Sequence, residues 1–377
     1  MVLFSSLLLV SLLMAAGMGA FVLIQNDYRI TANLRQGTAV FYLADAGLEW
    51  GKEQIGQTAN HPPRPGDQVH SFSSGTFSVA FLSSTPVTPL AAKIIVRSTG
   101  ASRTSSQTVQ ALVTKAYDLA DGAIGLRGAG SSVNFNGNSF FVSGFDHDPS
   151  SGGPVPGATP RSAISASSAA LREQIDTALD PAQTGNVIGG RNNSAISQSD
   201  FVPSDVVTRL GDDLCRAPHA ATSAIPLGGM LSLKGQTWGS RSSPQLHCVE
   251  GLSGSGDAVT VEGNFSGVGI LVVRNAELVA NGPFRWEGLV IITGTDVGFR
   301  VLGEENKEVY GALMINEAGP TASPTQATLA LQGAIKVLYS RSALNRVAAL
   351  LSASTLENTY AWLPFAIIQD YWRSVNP

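Results

Sequence analysis

The chain has 377 residues, of which 44% are hydrophobic and 14% charged, with 40 Gly and a formal net charge of −4. That length has room for two or three domains, and the hydrophobic share excludes a disordered polymer. The acidic balance, with no basic cluster anywhere, argues against nucleic acid as a partner, because phosphate binding leans on Lys and Arg.

Val2 to Ile24 reads VLFSSLLLVSLLMAAGMGAFVLI and holds no charged side chain. At about 1.5 Å per residue, this run as a helix crosses the hydrocarbon core of a bilayer. Val2, Leu9, Leu13, Gly17, Gly19 and Ile24 mark it from end to end. A cleaved secretory signal has a basic start, an apolar core of about 7–15 residues and a small-residue cleavage site. Here the run is longer, no basic residue precedes it, and helix signals follow it. A core helix of this kind would need protein around all its faces. A plain membrane anchor stands as the alternative to a filament stem.

From Gln25 the pattern turns amphipathic and runs to about Ile55. Ile30, Leu34, Val40, Phe41, Ala44, Leu48 and Ile55 recur at helical spacings, with Arg29, Arg35, Asp45, Glu49 and Lys52 between them. Gly17, Gly19, Gly37 and Gly47 each weaken such a helix by about 1 kcal/mol relative to Ala, and each permits close packing or a bend. Gly56 and the stretch His61-Pro62-Pro63-Arg64-Pro65-Gly66 stop it.

Gln68 to Lys115 alternates as strands do. Phe77, Val79 and Phe81 mark one, Ile94 to Val96 a second, and Val109, Ala111 and Val113 a third. Three short strands predict an antiparallel meander covered by the C-terminal half of the helix. From Gly122 the texture changes to short apolar pulses separated by Gly and Asn, and the same cadence returns after Gly251. Such strands fit the stacked coils of a β-solenoid or a sandwich. Between the two regions, Ser162–Leu179 reads as a helix with Ala170, Leu171, Ile175 and Leu179 inward. Val202–Leu214 reads as another, with Val206, Val207, Leu210 and Leu214 inward and Pro203 near its start. Ser342–Thr359 reads as a helix through Leu344, Val347, Leu350 and Leu351. The aromatic end that follows, with Trp362, Phe365, Ile367, Ile368, Tyr371 and Trp372, is expected to pack back on the body.

The two cysteines, Cys215 and Cys248, are spaced too widely for a redox or zinc motif. In an exported chain they predict one disulfide, worth roughly 3–4 kcal/mol in the chain-entropy model. Asp146-His147-Asp148 is the densest group of possible metal ligands, but consecutive residues do not face one site, and a solvated turn is the expectation. His61, His70, His219 and His247 are scattered. Asp212-Asp213 and Glu304-Glu305 are adjacent pairs without an acid/base spacing. No GxSxG, HExxH or GxxxxGK[ST] motif occurs. No enzyme and no cofactor are expected.

Asn33, followed by Tyr42-Leu43-Ala44-Asp45-Ala46-Gly47-Leu48-Glu49 behind an apolar N-terminal helix, resembles the N-terminal domain of PilX-type pilus assembly proteins. The stretch GNFSGVGILVVRNAELVANGPFRWEGLVIITG looks like the Gly-punctuated extension of large members of such families. The resemblance implies a minor pilin or pseudopilin in the bacterial inner membrane, its body in the periplasm and later on a pilus or cell surface. Its partners would be other pilins or pseudopilins, inner-membrane pilus assembly proteins, and membrane lipid. Two features depart from the major-pilin pattern: no Lys/Arg-rich leader ending in Gly stands before Met1, and Ser5 stands where a mature major pilin carries Glu. These imply a specialised subunit. The alternatives are a pseudopilin of a type II secretion system, a pilus-tip adhesin, or an anchored envelope hydrolase. The architecture expected is α+β: a pilin-like stem helix over 1–56, a small antiparallel β-meander over 66–118, a Gly-rich β-solenoid or β-sandwich-like body over 119–341 with a helical insertion around 162–214, and a short helical tail over 342–377.

Overall fold

The computed structural model describes residues 2–58, 62–88, 90–103, 105–128, 130–190, 194–199, 201–217, 220–225, 229–252, 256–319, 328–351 and 365–375. His61, His219, Trp362 and residues 352–359 of the expected tail helix lie outside them. The fold is α+β, a long N-terminal helix followed by a large β-rich body.

Helix α1 spans Val2–Gln57 in one piece. Its Leu, Ala and Val content favours a helix, and no proline interrupts it before Pro62. Thr58 closes the end, its backbone N–H and hydroxyl both donating to the Gln54 carbonyl, at 3.1 and 2.8 Å.

Four antiparallel strands follow: β1 (Gln68–Phe72), β2 (Gly75–Thr88), β3 (Ala91–Ser102) and β4 (Ser105–Tyr117). The segment read as one strand around Phe77 is a hairpin of two. Alternation sends Phe77, Val79, Ile94, Val96, Val109, Ala111 and Val113 to one face, where they bury Ala44, Leu48 and Ile55 of α1. Ile95 points the other way. A fifth strand corrects the expected helical tail. Phe365–Val375 pairs antiparallel with β4, so the sheet order is β1-β2-β3-β4 and then the C-terminal strand.

Among the described residues, the distal body contains a twelve-stranded and a six-stranded sheet. Its strand pairings are parallel, as in stacked coils and unlike an antiparallel sandwich. Successive coils place Phe265–Arg274, Phe284–Gly294 and Lys307–Glu317 in the first sheet, and Glu277–Asn281, Gly298–Leu302 and Leu329–Leu331 in the second. Gly269, Gly288 and Gly311 stand in register across the first sheet, with φ of 156°, 138° and 136°. A Cβ at each would strike the carbonyl of the neighbouring coil, so glycine is required there. The two stretches that share a cadence in sequence meet in space: Gly122–Arg127 pairs with Lys307–Glu317.

The helical insertion starts later than expected. Ser162–Ala166 is a strand, with Ile164 opposite Ile124. Burial in the sheet overrides the helical tolerance of its Ala and Ser residues. Helix α2 (Ala169–Ala178) follows, capped by Ser168, with Leu171 and Ile175 buried and Ala170 exposed. Helix α3 (Ser204–Cys215) buries Val206, Val207, Leu210 and Leu214. Helix α4 (Arg341–Val347) runs into a 3-10 turn, Ala348–Leu351, and buries Leu344 and Val347. Both α3 and α4 lie on the long parallel strands, within one core shared by the two sheets.

Candidate functional site: the stem and its seat

Among the described residues, nothing buries the apolar first half of α1. Leu9, Leu13 and Ile24 are 62%, 64% and 66% exposed, and the apolar stretch as a whole is unburied. Val2 opens the helix. A charge-free helix of this length left bare in water would be costly at roughly 25 cal/mol per Å² of apolar surface, and a bilayer removes that cost. A Cβ at Gly17, Gly19 or Gly37 would meet nothing within 4 Å, so these glycines pack against none of the described residues.

The second half is seated on the small sheet through small residues. A Cβ at Gly47 would collide with the Ser98 hydroxyl and lie 2.8 Å from the Phe77 ring. At Gly51 it would lie 2.9 Å from Val96 and 3.1 Å from Val79. From the sheet side, Gly100 meets the backbone of Val40 and Ala44. The Tyr42–Glu49 segment is thereby divided. Ala44, Gly47 and Leu48 face the sheet and are buried, Leu43 and Asp45 are half-buried, and Tyr42, Ala46 and Glu49 face outward. Asn33 lies on the exposed stem, in a shallow groove with Ile30, Leu34, Phe41, Tyr42 and Gln107. Ile30 and Leu34, expected on the buried face, are exposed.

The helix end is closed by a residue that sequence reasoning missed. No basic side chain stands in the last turn of α1. Instead Lys115, on β4, donates to the carbonyls of Ile55, Gly56 and Thr58 at 3.0, 3.1 and 2.8 Å. Its ammonium lies 4.4 Å from the Phe365 ring centroid and 5.2 Å from that of Tyr117. Burial lowers its pKa to about 8. The cation meets the negative end of the helix dipole and three carbonyls without intrahelical partners. Trp372 of the same C-terminal strand packs on Phe41, with centroids 5.9 Å apart. The tail therefore covers the seat of the stem.

Elsewhere the polar residues are occupied separately. Cys215 and Cys248 form a disulfide with Cα atoms 5.6 Å apart, tying the end of α3 to the Gln245–Glu250 strand. Asp146 accepts from the Arg341 backbone, His147 bonds Ser143 Oγ and the Gly152 carbonyl, and Asp148 accepts from the Ser150 backbone. Among the described residues no cluster of three acids, histidines or cysteines is arranged to hold a metal. His70 stacks near Trp50 and His247 on Trp238. Asp212 and Asp213 pair with arginines, and Glu305 with Lys307. Glu287 gathers Arg241, Arg285 and Arg346. Burial works to raise the Glu287 pKa, but Arg241 and Arg285 overcome it and hold the group below its ordinary value. Arg241 and Arg285 also donate to the Pro149 carbonyl, at 2.9 and 2.7 Å, which pins the Gly/Pro-rich loop to the coils.

No protein-family model and no curated protein matches the chain. Among solved structures, the crystal structure of the competence-associated pilin ComZ from Thermus thermophilus aligns at 13% identity, over 90% of this chain and 98% of that one, with a TM-score of 0.22. A likeness at that score is too slight to bear on function.

Proposed function

We propose that the chain is a membrane-anchored, pilin-like subunit that enters a filament with other pilins and displays a β-solenoid body. One observation carries this reading. A single unbroken helix has an apolar half that no described residue buries and a second half seated on a five-stranded antiparallel sheet. The bare half is long enough to cross a bilayer first and to pack among other stems later. The Asn33 and Tyr42–Glu49 resemblance to PilX-type proteins supports the same role from the residues alone. The role in this reading is structural. The subunit would sit in the bacterial inner membrane with its body in the periplasm before assembly.

Membrane fractionation, together with mass spectrometry of sheared filaments, tests this. The wild-type chain is expected in the membrane fraction and in sheared filaments. Recovery only as a soluble protein would refute the anchor. Co-purification with secretion components instead of pili would assign the subunit to a type II secretion filament.

A further inference from the structure

The small sheet and its helix carry two exposed faces of opposite charge. The first is the outward side of α1. Tyr42, Ala46, Glu49 and Glu53 recur at spacings of three and four and are exposed, with Asp45 half-buried beside them. Glu49 is paired with Lys52 at 2.5 Å. Asp45 and Glu53 have no ion pair among the described residues, and Glu53 accepts a hydrogen bond from Gln57.

The second face is the side of the sheet turned away from α1. Strand register sets Ile95, Leu112 and Tyr371 in one cross-strand row. Arg97, Gln110 and Arg373 form the next row. Ile368 and Tyr371 are 50% and 43% exposed. Arg97 and Arg373 are exposed and have no ion pair among the described residues, and Arg373 only reaches Gln110 at 3.4 Å. Lys93 on the same face is paired with Asp370 at 3.3 Å. An apolar row bordered by unpaired guanidinium groups fits a helix side that carries one aromatic ring and unpaired carboxylates.

We infer that the outer face of this sheet docks the outward side of α1 from a second copy of the chain, Arg97 and Arg373 meeting Asp45 and Glu53. The occupant is another copy because both complementary surfaces lie on this one chain. The contact is heterologous: each copy uses a different face, so each added copy leaves both faces free at the ends.

Sedimentation of the full chain in detergent micelles, at low and high salt, tests the contact. Concentration-dependent association that salt weakens is expected. Arg97→Glu with Arg373→Glu should weaken it by more than about tenfold, and Asp45→Lys with Glu53→Lys should do the same, because like charges then face each other. An equimolar mixture of the two doubly reversed chains should associate again, since each reversed face matches the other chain. Circular dichroism and an intact disulfide establish that each variant folds. A wild-type chain that stays monomeric overturns the inference. So does association that neither reversal changes, which would belong to the stems, or a mixture no better than its parts. Sensitivity to the sheet reversal alone would point to sheet-to-sheet pairing or to a different partner, and would overturn it too. Membrane fractionation is a separate readout, so loss of the anchor reading and loss of this contact are told apart.

Discussion

Lys115 concentrates the energetics of the stem's seat in one side chain. Replacing it as Lys115→Met leaves three carbonyls at the end of α1 without their donor. The expected cost near neutral pH is about 2 kcal/mol, the scale of charge-assisted hydrogen bonds, read as a lower thermal midpoint by circular dichroism. The pH dependence has a definite sign. Burial lowers the folded pKa from 10.5 to about 8, so the unfolded chain holds the proton more tightly. Between about pH 8 and 10.5 this group's contribution to stability therefore rises with pH. Wild-type protein should gain on the Met variant across that window, and a flat difference would refute the assignment. Glycines allow a second test. Gly47→Val inserts methyls against Ser98 and Phe77 and should destabilise by about 1–3 kcal/mol. Gly37→Ala meets nothing and should stabilise the helix by about 0.5–1 kcal/mol. Sequence reading singled out both glycines without telling them apart, because spacing does not say which helical face meets a partner. Lys115 was not legible at all, since its acceptors lie far back in the chain and come together only through the sheet.

Elements show where local pattern suffices and where pairing decides. The unbroken α1 was legible from charge and period, and so was α3, whose four apolar residues recur at helical spacing. The Ser162–Ala166 strand was not, because SAISA tolerates either state and only its place beside Ile124 selects one. The C-terminal strand was missed for a related reason. Phe365–Val375 has no clean alternation, and its bulge at Gln369/Tyr371 breaks the period of two. Stacked coils and sandwiches share short strands and glycine turns, and the choice between them lies in strand direction, which sequence alone does not carry. The disulfide acts at this scale, by fastening α3 to the Gln245–Glu250 strand of the coils. Cys215→Ser with Cys248→Ser should lower stability by about 2–4 kcal/mol, measured by thermal unfolding against the oxidised parent. An unchanged midpoint would mean that the apolar face of α3 holds without it.

For the whole molecule, the bare helix is the feature with the largest consequence outside the chain. Leu13→Asp places a charge near the middle of the apolar run, where insertion costs about 3 kcal/mol. The variant should leave the membrane fraction and be lost from filaments while its disulfide still forms. A variant that stays membrane-bound would place the span elsewhere. The long helix and the β-rich body were legible as wholes, because composition and period persist over many residues there. How the chain's ends relate was not. Strand β4 and the C-terminal strand are neighbours in one sheet, yet the entire distal body is threaded between them. A ribosome thus delivers the first four strands long before the fifth, and the ring of Phe365 that shelters Lys115 is made about 250 residues after it. The sheet that is begun before the coils is completed only after them. In a pulse-labelled translation, the distal coils should become protease-resistant while β4 is still an open edge, and the stem's seat should mature only once Phe365–Val375 has emerged.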